Sequence, residues 1–135
     1  MKVLLTGGSG NLGQTLVPLL LNKVDTPVIL DVRAPRNLKK EAVFIEGSIL
    51  DRSKLTDIFR GCDCIVHIAA WHGIHESRGE KNSYDFFDLN VRGTFEIFQA
   101  AASVGISAST RSYSFPRPVF IIRIHGTGAA KFWPN

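Results

Sequence analysis

Apolar and polar residues change period several times along this chain, and each change marks an element. Val3-Leu4-Leu5 is a short continuous apolar run, as in a strand buried on both faces. It predicts a strand over Lys2 to Thr6. Leu12, Thr15, Leu16, Leu19 and Leu20 then recur at helical spacing and predict a helix from Asn11 to Lys23, with Pro18 kinking it. Val28-Ile29-Leu30 is a second buried strand ending at Asp31, and the polar, basic stretch Arg33 to Lys40 is a loop. A third strand covers Ala42 to Glu46 and ends at Gly47-Ser48-Ile49. Asp51 is placed to cap a helix over Arg52 to Phe59, which Gly61 closes. A fourth strand spans Cys64 to Ile68 and runs into Ala69-Ala70, and Trp71 to Lys81 forms a loop.

The longest period follows. Ser83 is placed to cap a helix from Tyr84 to Val104, terminated by Gly105. Phe87, Val91, Phe95, Phe98 and Ala102 trace one apolar stripe along it, and Phe86, Ile97 and Ala101 lie off that stripe, which predicts a second buried face. The remainder, 107–135, differs in character. Ser107 to Pro118 is a polar run with two prolines, Val119 to Ile124 is a candidate fifth strand, and His125-Gly-Thr-Gly128 reads as a turn. Strands alternating with helices predict an α/β fold: a doubly wound parallel sheet in three layers, forming one domain over residues 1–135.

The chemistry concentrates where the first strand ends. Thr6-Gly-Gly-Ser-Gly-Asn-Leu-Gly13 fits Gly8-x-Gly10-x-x-Gly13 and Gly7-x-x-Gly10-x-x-Gly13 at once. Following a strand and opening a helix, it is a dinucleotide-binding fingerprint of the Rossmann type. Gly7 or Gly8 supplies the tight turn. Gly10 lets backbone approach a pyrophosphate, and Gly13 lets the helix pack close. Unpaired amides and the dipole at the helix start favour phosphate charge. Asp31 lies 18 positions after Gly13, close to the ~20 expected of an acid that holds the adenine ribose. Such an acid repels a 2′-phosphate, so Asp31 favours NAD over NADP, although Arg33 and Arg36 are cations able to oppose that preference.

Composition narrows the class. The 135 residues are 44% hydrophobic and 21% charged, ordinary for a globular domain. The net charge of +4 comes from scattered basic residues without interleaved aromatics, so nucleic acid is not expected. No apolar stretch reaches the ~18 residues of a membrane span, and no signal-peptide layout opens the chain, which leaves the cytoplasm as the expected compartment. Cys62 and Cys64, expected on one side of a strand, read as core or strand-entry thiols and not as a zinc site. His72, His75 and Glu76 form a metal trio on paper, but a solvated loop or substrate contact is the preferred reading, and no metal is expected. His67 is expected to pack within its strand and not to act catalytically.

The combination of motifs resembles the extended short-chain dehydrogenase/reductase superfamily, in particular its NAD-dependent epimerase/dehydratase family. The resemblance rests on residues 6–13, Asp31, Asp63-Cys-Ile-Val-His-Ile-Ala-Ala70 and Asn90-Val-Arg-Gly-Thr94. It implies that Gly7, Gly10, Asn11, Leu12 and Gly13 hold the pyrophosphate. Asp31, with Arg33 beside it, takes the adenosine ribose. Ser48 and Ile49 flank the adenine, where Ser48 departs from the usual Asp. Ile68, Ala69, Ala70 and Trp71 line the nicotinamide ribose pocket, and Asn90 braces the backbone there. A solvated Asp31 and a helix-surface Asn90 are the alternatives.

The resemblance also implies a Tyr-x-x-x-Lys pair. Tyr84 is followed four residues on by Asp88, and Tyr113 by Arg117, so no catalytic residue is assigned. The expectation is the N-terminal, cofactor-binding portion of a longer enzyme, without its substrate domain, with a frame-shifted or mis-assigned stretch near Ser107 to Ile124. The implied activity is NAD-dependent epimerisation, dehydration or dehydrogenation at a sugar or nucleotide-sugar hydroxyl. A non-catalytic NAD(P)-binding module or inactive fragment, and a structural or dimerisation piece, are the other readings. A homodimer through helix 84–104 is implied as well.

Overall fold

In the computed structural model, residues 1–23, 26–114 and 118–126 are described, with backbone alone from 107 onward. The sheet begins with β1 (Lys2–Thr6), β2 (Thr26–Asp31), β3 (Val43–Glu46) and β4 (Cys64–His67), all parallel. β5 (Ile106–Ser114) and β6 (Pro118–Gly126) complete the spatial order β3-β2-β1-β4-β6-β5. Helix α1 (Asn11–Leu21) follows β1, α2 (Arg52–Phe59) follows β3, and α3 (Gly73–Ser77) and α4 (Ser83–Phe86) follow β4. A π-helical segment over Phe87–Gly93 joins α4 to α5 (Thr94–Ser103).

The period-two alternation of the strands divides the core into two layers. Val3, Leu5, Ile29 and Cys64 face Val17, Leu16 and Leu20 of α1. Leu4, Val28, Leu30 and Ile65 face Leu55 and Phe59 of α2 and Ile97, Ala100 and Ala101 of α5. This is the Rossmann-like αβα arrangement, and the central strand residues Leu4, Leu5 and Leu30 are fully buried. Burying side chains of this size stabilises the fold by about 1.5–3 kcal/mol each. All four parallel strands end toward one edge of the sheet. The glycine turn, Asp31, Gly47-Ser48 and Ile68-Ala69 meet there.

Several expectations change. The sheet is parallel only through its first four strands: β6 runs antiparallel to β4, and β5 antiparallel to β6. Only residues 115–117 separate β5 from β6, too few for the crossover that a parallel neighbour needs. The polar run after Ile106 is therefore strand through Ser114. His125 and Gly126 belong to β6, with His125 opposite Cys64, and not to a turn. Thr127, Gly128, Pro116 and Arg117 lie outside the described residues. Cys62 and Cys64 face opposite layers, because Cys62 sits in the turn before β4 and not within the strand.

The long helix also differs. Asn82, not Ser83, caps it: its side chain accepts from Tyr84 N and Asp85 N, and the Asp85 carboxylate answers the Asn82 amide. The capping box had a sequence signature in Asn82-x-x-Asp85. Most of the predicted stripe points outward, with Phe87, Val91 and Phe95 60%, 54% and 57% exposed, while Phe98 is half-buried and packs against the core. The face pressed on the sheet layer is Gly93, Ile97, Ala100 and Ala101. Small residues win this face because the helix comes very close. A Cβ on Gly93 would stand 2.6 Å from Ile49 Cδ1, and an aromatic ring has no room there.

Gly93→Ala is accordingly expected to destabilise the fold by about 1–3 kcal/mol through overpacking. Urea unfolding of the two proteins measures it, and an unchanged midpoint would show that Ile49 moves aside freely.

Candidate cofactor site

The turn after β1 is built from close contacts that side chains would block. Gly7 has φ +71°, and a Cβ there would lie 2.6 Å from the Ala69 Cα. Gly7 therefore gives both the left-handed turn and the approach to the strand end of β4. Its amide donates to the Leu30 carbonyl at 2.9 Å, tying the turn to β2 as well. A Cβ on Gly13 would lie 2.2 Å from the Gly8 oxygen, so Gly13 packs α1 against the turn itself. Gly10, the N-cap of α1, is exposed, and a Cβ there would meet only the Gly7 oxygen, at 3.3 Å. Its outer face is open to a ligand.

The start of α1 carries no side-chain cap and no acidic residue in its first turn. Its first amides thus face the opening without a competing carboxylate, which is the arrangement that attracts anions. Asn11 and Leu12 are exposed on this first turn, Leu12 at 37%.

Asp31 is bound into the same turn. Its Oδ2 accepts from Ser9 N at 3.0 Å and its Oδ1 from Arg33 N at 3.2 Å. Each carboxylate oxygen keeps a second lone pair for a ligand hydroxyl. Ser9 Oγ closes the ring by donating to the Arg33 carbonyl at 2.6 Å, and Gln14 Nε2 donates to the Ser9 carbonyl at 2.8 Å. Ser9 was not singled out from the sequence, although it stands at the centre of the glycine motif. The Arg33 side chain is exposed, and its main chain is what the turn uses.

The opposite wall comes from β4 and the long helix. Ile68 is half-buried, its amide donating to the Thr6 carbonyl at 3.2 Å. Ala69 touches Gly7, Ala70 is exposed and Trp71 half-buried. Asn90 clamps the Trp71 peptide from both sides: Trp71 N donates to Asn90 Oδ1 at 2.8 Å, and Asn90 Nδ2 donates to the Trp71 carbonyl at 3.0 Å. Trp71 also meets His75 edge-on at 4.9 Å and lies under Lys81 Nζ at 4.8 Å. Ser48 and Ile49 follow Gly47, whose amide donates to the Asp31 carbonyl at 3.0 Å. Ser48 Oγ accepts from Leu50 N at 3.1 Å, and Ile49 is buried in the core against Gly93.

His75 Nδ1 pairs with Glu80, at 2.8 Å, and not with Glu76. Among the described residues no three His, Cys, Asp or Glu side chains come together as a metal site. His67 is buried beneath the crevice, between Thr6 Oγ1 at 2.5 Å and Thr94 Oγ1 at 3.0 Å. Burial lowers its pKa to about 4.

Residues 3–117 match the sequence profile of the NAD dependent epimerase/dehydratase family. The chain belongs to that family. NAD is the cofactor of the family. A UDP-glucose 4-epimerase of Klebsiella pneumoniae is 33% identical over 118 residues, covering 78% of this chain and 84% of that relative. A UDP-glucose 4-epimerase of Haemophilus influenzae is also 33% identical, over 87% of this chain but only 39% of its own length. Among solved structures, the Stenotrophomonas maltophila UDP-glucose-4-epimerase with bound NAD and formylated UDP-arabinopyranose superposes with a TM-score of 0.68 at 25% identity, covering 79% of this chain and 35% of that one. The dTDP-glucose 4,6-dehydratase of Streptomyces venezuelae with NAD bound has a TM-score of 0.67 at 30% identity, covering 78% and 37%.

The low pKa of His67 makes stability depend on pH. Below the ordinary value of 6.5 the unfolded chain takes a proton that the folded ring refuses until about pH 4. Stability from this group is therefore complete above pH 6.5 and lost as pH falls toward 4, by about 2 kcal/mol between pH 7 and 5. Urea midpoints of the wild type and His67→Gln across this range test it: the variant should lose that share of the slope. Equal slopes would refute the assignment.

Proposed function

We propose that this chain binds NAD across the glycine turn, and that it supplies the cofactor-binding part of an enzyme acting on a hydroxyl of a sugar or nucleotide sugar. The observation that carries the reading is the cradle at residues 7–13, where Gly10 leaves an open face beside the uncapped start of α1. A pyrophosphate there receives main-chain amides and the positive end of the helix dipole. Asp31, held by Ser9 and Arg33, accepts from the adenosine ribose hydroxyls and disfavours a 2′-phosphate. Ser48 and Ile49 border the adenine side by their main chain. Ile68, Ala69, Ala70 and Trp71 form the wall of the nicotinamide ribose, and Asn90 keeps that wall in place.

Bound nicotinamide supplies hydride transfer, so oxidation of a substrate alcohol to a ketone is the shared step of the reading. Epimerisation, dehydration or net oxidation follows from it. UDP- and dTDP-linked sugars are the substrate class, because the similar proteins act on or hold such ligands. The cytoplasm is the compartment that goes with this reading. Tyr84 favours a second reading, in which the chain binds the dinucleotide without turnover. It is 82% exposed at the start of the helix, and Asp88 stands where a lysine partner would be. NADH absorbance with UDP-glucose and dTDP-glucose, beside calorimetric NAD binding, separates the two readings.

A second copy of this chain is the proposed occupant of the outer helix face formed by Tyr84, Phe87, Val91 and Phe95. Contiguous exposed apolar residues of this kind mark interaction surfaces.

Two outcomes follow from these readings. Asp31→Asn should weaken NAD binding and shift the NAD-to-NADP affinity ratio toward NADP by about tenfold, since the repelling charge is gone. Calorimetry with both dinucleotides reads this, and an unchanged ratio would remove Asp31 from the site. Phe95→Glu should convert a dimer into a monomer in light scattering, and a monomeric wild type would end the dimer reading.

A further inference from the structure

The Asn90 clamp is the end of a longer chain of side chains. Thr94 has one hydroxyl proton and gives it to the Asn90 carbonyl at 2.7 Å. Its other contact, with His67 Nε2 at 3.0 Å, must therefore be one in which Thr94 accepts. His67 then carries its proton on Nε2 and offers Nδ1 as an acceptor, which Thr6 Oγ1 fills. Each proton points the same way: Thr6 to His67, His67 to Thr94, Thr94 to Asn90. The chain crosses from β1 through β4 to the long helix. It lies directly below the edge where the glycine turn meets Ala69.

The helix geometry explains what this chain does. In an α-helix the Thr94 amide would bond the Asn90 carbonyl. Here the Thr94 amide turns to the Val91 carbonyl, in the π-helical segment that contains Asn90. The Thr94 hydroxyl takes the place of that amide. A π-helical turn is less stable than an α-helical one and persists where something holds it. The buried His67 ring, 3% exposed and bonded at both nitrogens, is the rigid post behind Thr94.

We infer that Thr94 and His67 are positioning residues of the dinucleotide crevice: the Thr6–His67–Thr94 chain holds the π-helical turn in the register that lets Asn90 clamp the Trp71 peptide. Neither residue touches the ligand. They set the place of the Ala69–Ala70–Trp71 wall. The effect on cofactor affinity rests on the NAD reading above; the effect on the Trp71 peptide does not.

Thr94→Val removes the hydroxyl at nearly constant volume, and Thr94→Ser keeps it. In Thr94→Val the Trp71 amide should exchange its hydrogen about tenfold faster, measured against Leu4 and Leu5 of β1 in the same protein. Thr94→Ser should restore the rate. NAD affinity by calorimetry should fall about tenfold in Thr94→Val, and in an Asn90→Ala background the same substitution should add almost nothing, since both act through one clamp. Unchanged Trp71 exchange in Thr94→Val, or additive losses in the double variant, would overturn the inference. Should the wild type bind no NAD, the reading of the crevice fails, and the Trp71 exchange still decides the chain. Should Thr94→Val not fold, Thr6→Val gives the same comparison from the other end. Nitrogen NMR of the His67 ring gives an independent check: protonation at Nε2 is required, and protonation at Nδ1 would reverse the proton directions and end the proposal.

Discussion

The contact between Gly7 and Ala69 is the constraint on which the site depends. Two neighbouring parallel strands end at the same level, and the backbone leaving one comes within van der Waals distance of the backbone leaving the other. No side chain fits between them. This closeness lets one small opening be bordered by main-chain amides from α1 on one side and by the β4 exit on the other. A wider separation would leave room for side chains between the two strand ends.

Around that contact, polar groups do the work that packing cannot. Above the sheet, Ser9 and Asp31 bind the glycine turn to the end of β2. Below it, Thr6, His67 and Thr94 tie β1 and β4 to the helix. The two networks meet at neighbouring residues of β1 and the turn. Burying polar groups is tolerated here because each is bonded, and the result is directional: hydrogen bonds set register, while apolar contacts tolerate sliding. The close seat of Gly93 on Ile49 adds a steric limit next to Thr94. Beside Gly93 an aromatic ring has no room, and Tyr84, Phe87 and Phe95 lie on the outer face of that helix.

Much of the fold was legible in the chain. Val3-Leu4-Leu5, Val28-Ile29-Leu30 and Cys64-Ile65-Val66 read as buried strands because both faces of each are covered, and they are. The glycine motif announced a turn with close approaches, and Gly7 and Gly13 make them. The long helix was visible in extent, and its second face, with Ile97 and Ala101, is buried as expected, but most of the aromatic stripe is not. Its aromatic stripe has the larger apolar area, and area alone favours burying it. The π-helical segment, the Asn82 cap and the antiparallel β6 were not anticipated. The polar composition of Ser107 to Ser114 hid a strand, since pairing in a sheet uses backbone groups that every such residue has.

By itself the sequence determined which residues are able to turn, to strand and to pair: glycines at 7, 10 and 13, an acid at 31, and buried strands of alternating allegiance. Those properties are local, set by backbone freedom and by period. Tertiary structure alone decided which of two apolar helix faces goes inward, that Ser9 joins Asp31 to Arg33, and that a histidine and two threonines distant in sequence share one line of protons. These choices depend on distances of a few ångströms between elements far apart in the chain, and no spacing along the chain encodes such a distance.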